Sequence, residues 1–121
     1  MLDRTGDVAD TTMRAIEYAM HGLSSRGDVR ANNIANSETP GFRAKTLTFE
    51  AQLTEALRNG DVDGVEDVHE GLWAGLADRT GNTVSLEHEV TDMTKDNLMV
   101  TAMVNAYNYK VGLLRSAIGG R

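Results

Sequence analysis

Residues 86–118, LEHEVTDMTKDNLMVTAMVNAYNYKVGLLRSAI, decide the fold of this chain. Apolar residues recur there at alternating steps of four and three, a 3.5-residue period that is typical of a coiled-coil helix. We call this set the C-terminal seam: Leu86, Val90, Met93, Asn97, Val100, Val104, Tyr107, Val111, Leu114 and Ile118. The pattern predicts a helix within residues 85–121, with Ser85 as its N-cap and Gly119 ending it. We expect the seam to carry assembly contacts, because so long a helix exceeds what a compact domain of this size needs.

Asn97 is the one polar member of the C-terminal seam. Two interpretations of it stay open at this point. An exposed or half-exposed amide would simply be tolerated in the helix. A buried amide would set the register between paired helices, as polar residues in coiled-coil cores do.

A second seam predicts an N-terminal helix within residues 1–36. It has the same alternating spacing and comprises Ala9, Met13, Ile16, Met20, Leu23, Gly27, Arg30 and Ile34. Gly27 and Arg30 weaken it, although Gly27 would allow another backbone to approach closely. We expect the two helices to pair antiparallel as a coiled-coil hairpin.

The connector, residues 37–84, has a different character. Thr39-Pro40-Gly41 is a turn signal, with proline suited to the first central position and glycine to the second. Residues 49–57 predict a short helix, and residues 59–83, rich in Gly and Asp, predict an irregular acidic loop. The predicted fold is therefore mainly α: one domain of two long terminal helices joined by a turn, a short helix and a loop.

Composition argues against several classes of function. The formal net charge of −6 and the scattered basic residues argue against a nucleic-acid partner, and the absence of cysteine removes thiolate chemistry. His21, His69 and His88 lie at no ligand spacing from one another, and no nucleophile triad or phosphate loop is present. We therefore expect no catalytic residues, no metal, no cofactor, no small-molecule substrate and no enzyme activity.

One partial metal motif remains as an alternative. Seven residues match positions of an EF-hand calcium loop: Asn59, Asp61, Asp63, Gly64, Val65, Asp67 and Glu70. Asn59 stands where aspartate is usual, and Glu66 occupies a position that is normally apolar. An acidic solvated loop is the preferred interpretation of this segment.

The segment Asn33-Ile34-Ala35-Asn36-Ser37-Glu38-Thr39-Pro40-Gly41-Phe42 resembles the N-I-A-N-x-x-T-P-G-[FY] signature of the bacterial flagellar rod, hook and hook-associated family. Residues 81–118 and the opening Met1-Leu2-Asp3-Arg4 are similar to the proximal rod members. Distal rod and hook members insert a large β-rich domain between the helices, and the connector here is too short for one. The resemblance implies a structural subunit of the proximal rod.

The resemblance also implies partners and a location. Members of this family stack into the hollow axial shaft of the basal body, which crosses the periplasm. Expected neighbours are further copies of the chain, the rod proteins FlgC, FlgF and FlgG, the rod adaptor FliE and possibly the MS ring. Export runs through the flagellar type III apparatus, which agrees with an acidic N-terminus that lacks the apolar core of a Sec-type signal peptide.

Phe49 and Leu53 match a short Phe-x-x-x-apolar element that the export gate recognises in early rod and hook subunits. Phe49 could equally anchor the connector against the long helices, and both interpretations stay open. The alternative function, from another class, is a soluble helical adaptor or flagellar export chaperone. A chaperone would be a discrete dimer in solution.

Overall fold

The computed structural model describes residues 4–62 and 69–119. Five elements follow one another: α1 (Arg4–Ala35), β1 (Lys45–Thr48), α2 (Glu50–Asn59), β2 (His69–Leu72) and α3 (Leu86–Gly119). The mainly helical fold with two long terminal helices is confirmed. With 34 residues, α3 is about 50 Å long at a rise of about 1.5 Å per residue.

The two long helices run antiparallel, as their paired side chains show. Arg26 on α1 contacts Asp96 on α3, whereas Asn33, two turns further along α1, contacts Glu89, two turns earlier on α3. Residue numbers therefore rise on one helix as they fall on the other. This confirms the predicted hairpin.

A small apolar core lies where the connector folds back on the hairpin. Its buried members are Ala19, Leu23, Leu47 and Phe49, with Tyr18, Val29, Leu53, Val100 and Met103 partly buried around them. The close backbone approach that Gly27 would allow is not found among the described residues, whereas Gly22, five residues earlier, packs against the ring of Phe49. A Cβ on Gly22 would lie 2.5 Å from Cδ1 of Phe49, whereas a Cβ on Gly27 would meet no described heavy atom within 4 Å.

Part of the predicted irregular loop is a strand, which corrects the sequence analysis. β2 pairs antiparallel with β1, with Lys45 opposite Leu72 and Thr48 opposite His69. Neither strand is predicted from the sequence, because each has only four residues and one large apolar residue, Leu47 in β1 and Leu72 in β2, which is too few to establish a two-residue period. The pairing is decided by the buried contacts of Leu47 with α1.

The rest of the connector follows its local sequence. The short helix predicted over residues 49–57 is α2, which begins one residue later and ends two residues later, at Asn59. Gly60 follows as a left-handed cap with φ of 72°, and its N–H donates to the Ala56 and Leu57 carbonyls. Of the EF-hand candidates, Asp63, Gly64, Val65 and Asp67 lie outside the described residues. Glu70 lies in β2, whereas an EF-hand loop leads into a helix at that point.

Candidate functional site

Asn33, the first residue of the signature segment, lies on α1 and bonds to both β1 and α3. Asn33 is 0% exposed, and its Nδ2 donates to the Lys45 carbonyl at 2.8 Å and to Glu89 Oε1 at 3.0 Å. Its Oδ1 accepts the Lys45 N–H at 3.0 Å. The amide therefore pairs with β1 as a neighbouring strand would, and it holds α3 with its remaining proton. A carboxylate or an apolar residue could not make all three bonds.

The predicted turn forms at Thr39-Pro40-Gly41-Phe42. The Phe42 N–H donates to the Thr39 carbonyl at 3.2 Å, and Gly41 has φ of 74°, which a side chain would strain. Asn36 Oδ1 accepts the Thr39 hydroxyl at 3.1 Å and so braces the turn. Pro40 and Ala35 are exposed, while Ile34 and Phe42 are half-buried.

Asn82 closes this turn from the far end of the connector, and the sequence analysis missed it. Its Nδ2 donates to the carbonyls of Asn36 and Thr39 at 2.8 and 2.7 Å, and its Oδ1 accepts the Val84 N–H at 2.8 Å. Each of these carbonyls, just beyond the end of α1, also accepts a backbone N–H, from Thr39 and from Phe42, so Asn82 supplies a second donor to each and ties the end of the connector to the turn. The only local signal is its place beside Gly81, which has φ of 85°.

Two neighbours complete this contact between the connector and the turn. Thr83 Oγ1 accepts the Ala44 N–H at 2.8 Å, and the Thr83 N–H donates to the Phe42 carbonyl. Asp78 accepts three bonds, from the Thr80 hydroxyl, the Thr80 N–H and the Asn82 N–H. The bonds from Thr80, first from its side chain and then from its backbone, lower the pKa of Asp78.

We expect Asn82→Ala to destabilise the chain by about 1–3 kcal/mol, because the three hydrogen bonds of a buried amide that join the connector to the turn are lost. The measurement is urea unfolding of the purified chain followed by circular dichroism. Arg79→Ala, an exposed change in the same loop, should leave the midpoint within error. Equal midpoints for Asn82→Ala and the parent would contradict the closing role of Asn82.

A cluster of charges fills the centre of the hairpin beside this junction. We define the polar layer as Arg26 and Arg30 on α1 with Glu89 and Asp96 on α3. Arg26 donates to both Asp96 oxygens at 3.1 and 3.0 Å, and Arg30 Nε donates to Asp96 Oδ2 at 2.9 Å. Arg30 also lies 3.5 Å from Glu89 Oε2. The two acids are 2% and 8% exposed, so these ions are largely removed from water.

Arg26 extends the layer to the connector. Its Nη1 bonds to Glu50 Oε1 at 2.6 Å, and its guanidinium lies 4.9 Å from the centre of the Phe49 ring, a cation–π distance. Burial alone would lower the pKa of Arg26, but the hydrogen bonds to Glu50 and Asp96 raise it. For Glu50 the two effects have the opposite signs: burial alone would raise its pKa, but the hydrogen bond from Arg26 lowers it, and the pKa is lowered overall. Glu50 therefore stabilises the fold above its unfolded-state pKa, and this contribution is lost as the pH falls through its folded-state value.

The two residues of the export-gate element lie in the apolar core. Phe49 is 2% exposed, directly before α2, with its ring edge-on to Tyr18 at 6.2 Å. Leu53 is half-buried beside it. Packing against the long helices, one of the two interpretations of Phe49, therefore holds in the folded chain. Recognition at an export gate stays a prediction.

The residues of the C-terminal seam differ in their exposure to solvent. Val100, Met93, Tyr107 and Val111 are half-buried, while the other members are exposed: Leu86, Val90, Asn97, Val104, Leu114 and Ile118. Asn97 is exposed within this chain, so it is not a buried register amide of the hairpin. The buried amide is Asn33, on the opposite helix.

The three histidines lie on three different elements, His21 on α1, His69 on β2 and His88 on α3. His21 is exposed. His88 stacks on Trp73 with ring centres 4.7 Å apart, and its Nε2 lies 3.2 Å from Asp92. Among residues 4–62 and 69–119, no group of three or more potential ligands is arranged to hold a metal ion. No described helix combines the length and apolarity needed to cross a bilayer.

The sequence of this chain is similar to those of known flagellar rod proteins. Residues 13–43, which include most of α1 and the turn, match the family described as "Flagella basal body rod protein". The chain is 28% identical to the flagellar basal body rod protein FlgB of Aeromonas hydrophila over 86% of this chain and 89% of that protein. It is 26% identical to FlgB of Bacillus subtilis (strain 168) over 90% and 94%, and 34% identical to FlgB of Yersinia ruckeri over 48% and 42%.

Proposed function

Because this chain belongs to the flagellar basal body rod protein family, we propose that it is a structural subunit of the proximal rod that polymerises after export. As a rod subunit its place is the basal body. The polar groups of its signature segment hold the fold together: the Asn33 side chain bonds to β1 and α3, and the carbonyls of Asn36 and Thr39 accept bonds from Asn82. We therefore assign the signature a structural role and propose that the chain has no catalytic activity.

The observation that carries this proposal is the exposed apolar surface of α3. Its large apolar residues that remain exposed are Leu86, Val90, Leu98, Met99, Val104, Tyr109, Leu113, Leu114 and Ile118. They lie on several sides of the helix, and between Leu98 and Ile118 only Lys110 and Arg115 are charged. A helix that is apolar on most sides is normally enclosed by neighbours. Helical stacking of subunits would supply those neighbours.

Association with other rod components follows from membership of the family. We propose further copies of this chain, FlgC, FlgF, FlgG and the adaptor FliE as the specific neighbours, with the MS ring at the base of the shaft and the export apparatus before assembly. We also propose that the chain acts as one domain, since Leu47 and Phe49 of the connector pack with Ala19 and Leu23 of α1.

The test is an in-frame deletion of the gene, complemented by the wild-type copy. We expect the deletion to abolish the rod, hook and filament while the MS ring still forms, as seen in purified basal bodies. A rod that assembles without this chain would exclude a structural role. Two measurements distinguish a rod subunit from the alternative, a soluble adaptor or export chaperone. The alternative should sediment as a discrete dimer, and it should not co-purify with basal bodies.

Phe49→Ala tests the export-gate element. Since Phe49 is 2% exposed in the folded chain, an export gate could bind it only before α1 packs over it. We expect secretion of Phe49→Ala to fall in cells that lack the hook, measured as protein in the medium against protein in the cells. Wild-type secretion would contradict the export role and leave packing alone.

Leu23→Ala is the matched control for that experiment. Leu23 is 3% exposed in the same core but lies outside the Phe-x-x-x-apolar element. Both substitutions remove a buried side chain and should destabilise the fold by about 2–5 kcal/mol. If the two variants lose secretion equally, instability explains the loss and the export role is wrong.

A further inference from the structure

α3 turns its acidic side, and not its most apolar side, toward α1. Glu89 is 2% exposed, whereas its neighbour Val90 is 55% exposed; Asp96 is 8% exposed, whereas Leu86 is 50% exposed. Successive residues on an α-helix are about 100° apart. Over the first half of α3 the packing face is therefore displaced by roughly a quarter of a turn from the C-terminal seam.

The hydrophobic effect alone favours the opposite orientation. Burying apolar surface contributes about 25 cal/mol per Å², so a rotation that brought Leu86 and Val90 inward would be favourable. Burying ions costs free energy that their mutual attraction often fails to recover, and apolar replacements of buried ion pairs are often neutral or stabilising. Stability therefore does not explain why this half of the helix faces inward with Glu89 and Asp96.

Complementarity with α1 does explain the orientation. Arg26 meets Asp96 with two nitrogens, Arg30 reaches Asp96 and Glu89, and Asn33 donates to Glu89. Turning α3 by a quarter of a turn would leave the two arginines against apolar side chains and the two acids without donors. Removing the partner of a buried charge is strongly destabilising, and in the rotated helix all four charged groups would lose the partners that they have across the two helices.

We propose that the polar layer selects the face of α3 that packs against α1, and thereby keeps Leu86, Val90 and Val104 on the outside of the hairpin. Asp96 is the central positioning residue, because both arginines converge on it. The orientation is a property of the isolated chain. That the outward residues then contact other subunits rests on the function proposed above.

The test uses a single-cysteine probe, since the parent chain has no cysteine. Val90→Cys reports the outward face, and Lys95→Cys, at a side chain that is 70% exposed, reports a position that stays exposed in either orientation. Each probe is placed in the parent and in a variant that carries Arg26→Met, Arg30→Leu, Glu89→Gln and Asp96→Asn. These replacements remove the charges at nearly constant side-chain volume, and position 96 stays polar, so the present packing face does not itself become apolar. Glutamine can still accept the bond from Asn33.

We expect maleimide to label Val90→Cys in the parent at nearly the rate of Lys95→Cys. In the variant without the polar layer, labelling of Val90→Cys should slow by about tenfold or more, because that position turns inward and reacts only through local opening. Circular dichroism should show that helix content is retained. A polar layer that only stabilised the hairpin would instead leave Val90→Cys as reactive as before, or more so.

Asp96→Asn provides a second variant, which removes one charge at nearly constant shape. We expect partial slowing of Val90→Cys labelling in it, with Lys95→Cys unchanged. If the fourfold variant loses its helices, this single variant decides the question by the same two rates. Unchanged Val90→Cys labelling in every variant that remains helical would overturn the proposal, whatever the outcome of the deletion experiment on rod assembly.

Discussion

Asp96→Ala should lower the free energy of unfolding of the isolated chain by about 3 kcal/mol, the largest effect on stability that we expect from one charged side chain. Arg26 and Arg30 both converge on this carboxylate, through three bonds of 2.9–3.1 Å. Glu50 can still reach Arg26, but its side chain is 49% exposed and lies on the other side of the guanidinium. Without Asp96, Arg26 keeps Glu50 as its acidic partner, and Arg30 keeps only the longer contacts with Glu89 at 3.5 Å and Asp92 at 3.7 Å, so the two positive charges are less well compensated.

Urea unfolding measures this effect, followed by circular dichroism and by the fluorescence of Trp73. Lys95→Ala is the matched control on the adjacent residue, because its contact with Asp92, at 3.9 Å, is a solvent-exposed ion pair of at most about 1 kcal/mol. The midpoint of Lys95→Ala should stay close to that of the parent. An Asp96→Ala midpoint within error of Lys95→Ala would mean that water compensates the arginines and that the layer is not effectively buried.

Val104→Asp should abolish motility while leaving the isolated chain folded, the largest functional effect that we expect. Val104 is 37% exposed, so a carboxylate there can remain hydrated in the monomer. In an assembled rod the same position would face a neighbouring helix, where an unpaired charge costs several kcal/mol. The expected result is a non-motile strain that still makes the protein, with no rod in purified basal bodies.

Asn105→Asp is the control, since it adds the same charge one residue away, at an exposed position off the C-terminal seam. We expect that strain to swim, as should one carrying Lys95→Ala. The purified Val104→Asp chain should unfold at the same urea concentration as the parent. Normal swimming of the Val104→Asp strain would refute the assembly role of this part of the seam.

Much of the fold can be predicted from the sequence because it depends on local sequence patterns. The 3.5-residue period of residues 86–118 predicts α3, and Pro40 followed by Gly41 predicts the turn that the structure contains. Each depends on residues that are near one another in the chain: a helix bonds residues four apart, and this turn needs only the φ preferences of proline and glycine. The signature segment likewise indicates the family, since its ten residues are contiguous.

The tertiary structure alone decided which groups meet across the chain. Asn82 reaches carbonyls 46 and 43 residues away, and Arg26 meets Asp96 across 70 residues. No local pattern encodes such pairs, and β2 is a strand only because β1 lies beside it. The same holds for the orientation of α3. The 3.5-residue period of its seam predicts the helix and its apolar stripe. It does not predict that another side of the helix faces inward, because that orientation depends on buried arginines of α1 that need acidic partners opposite them.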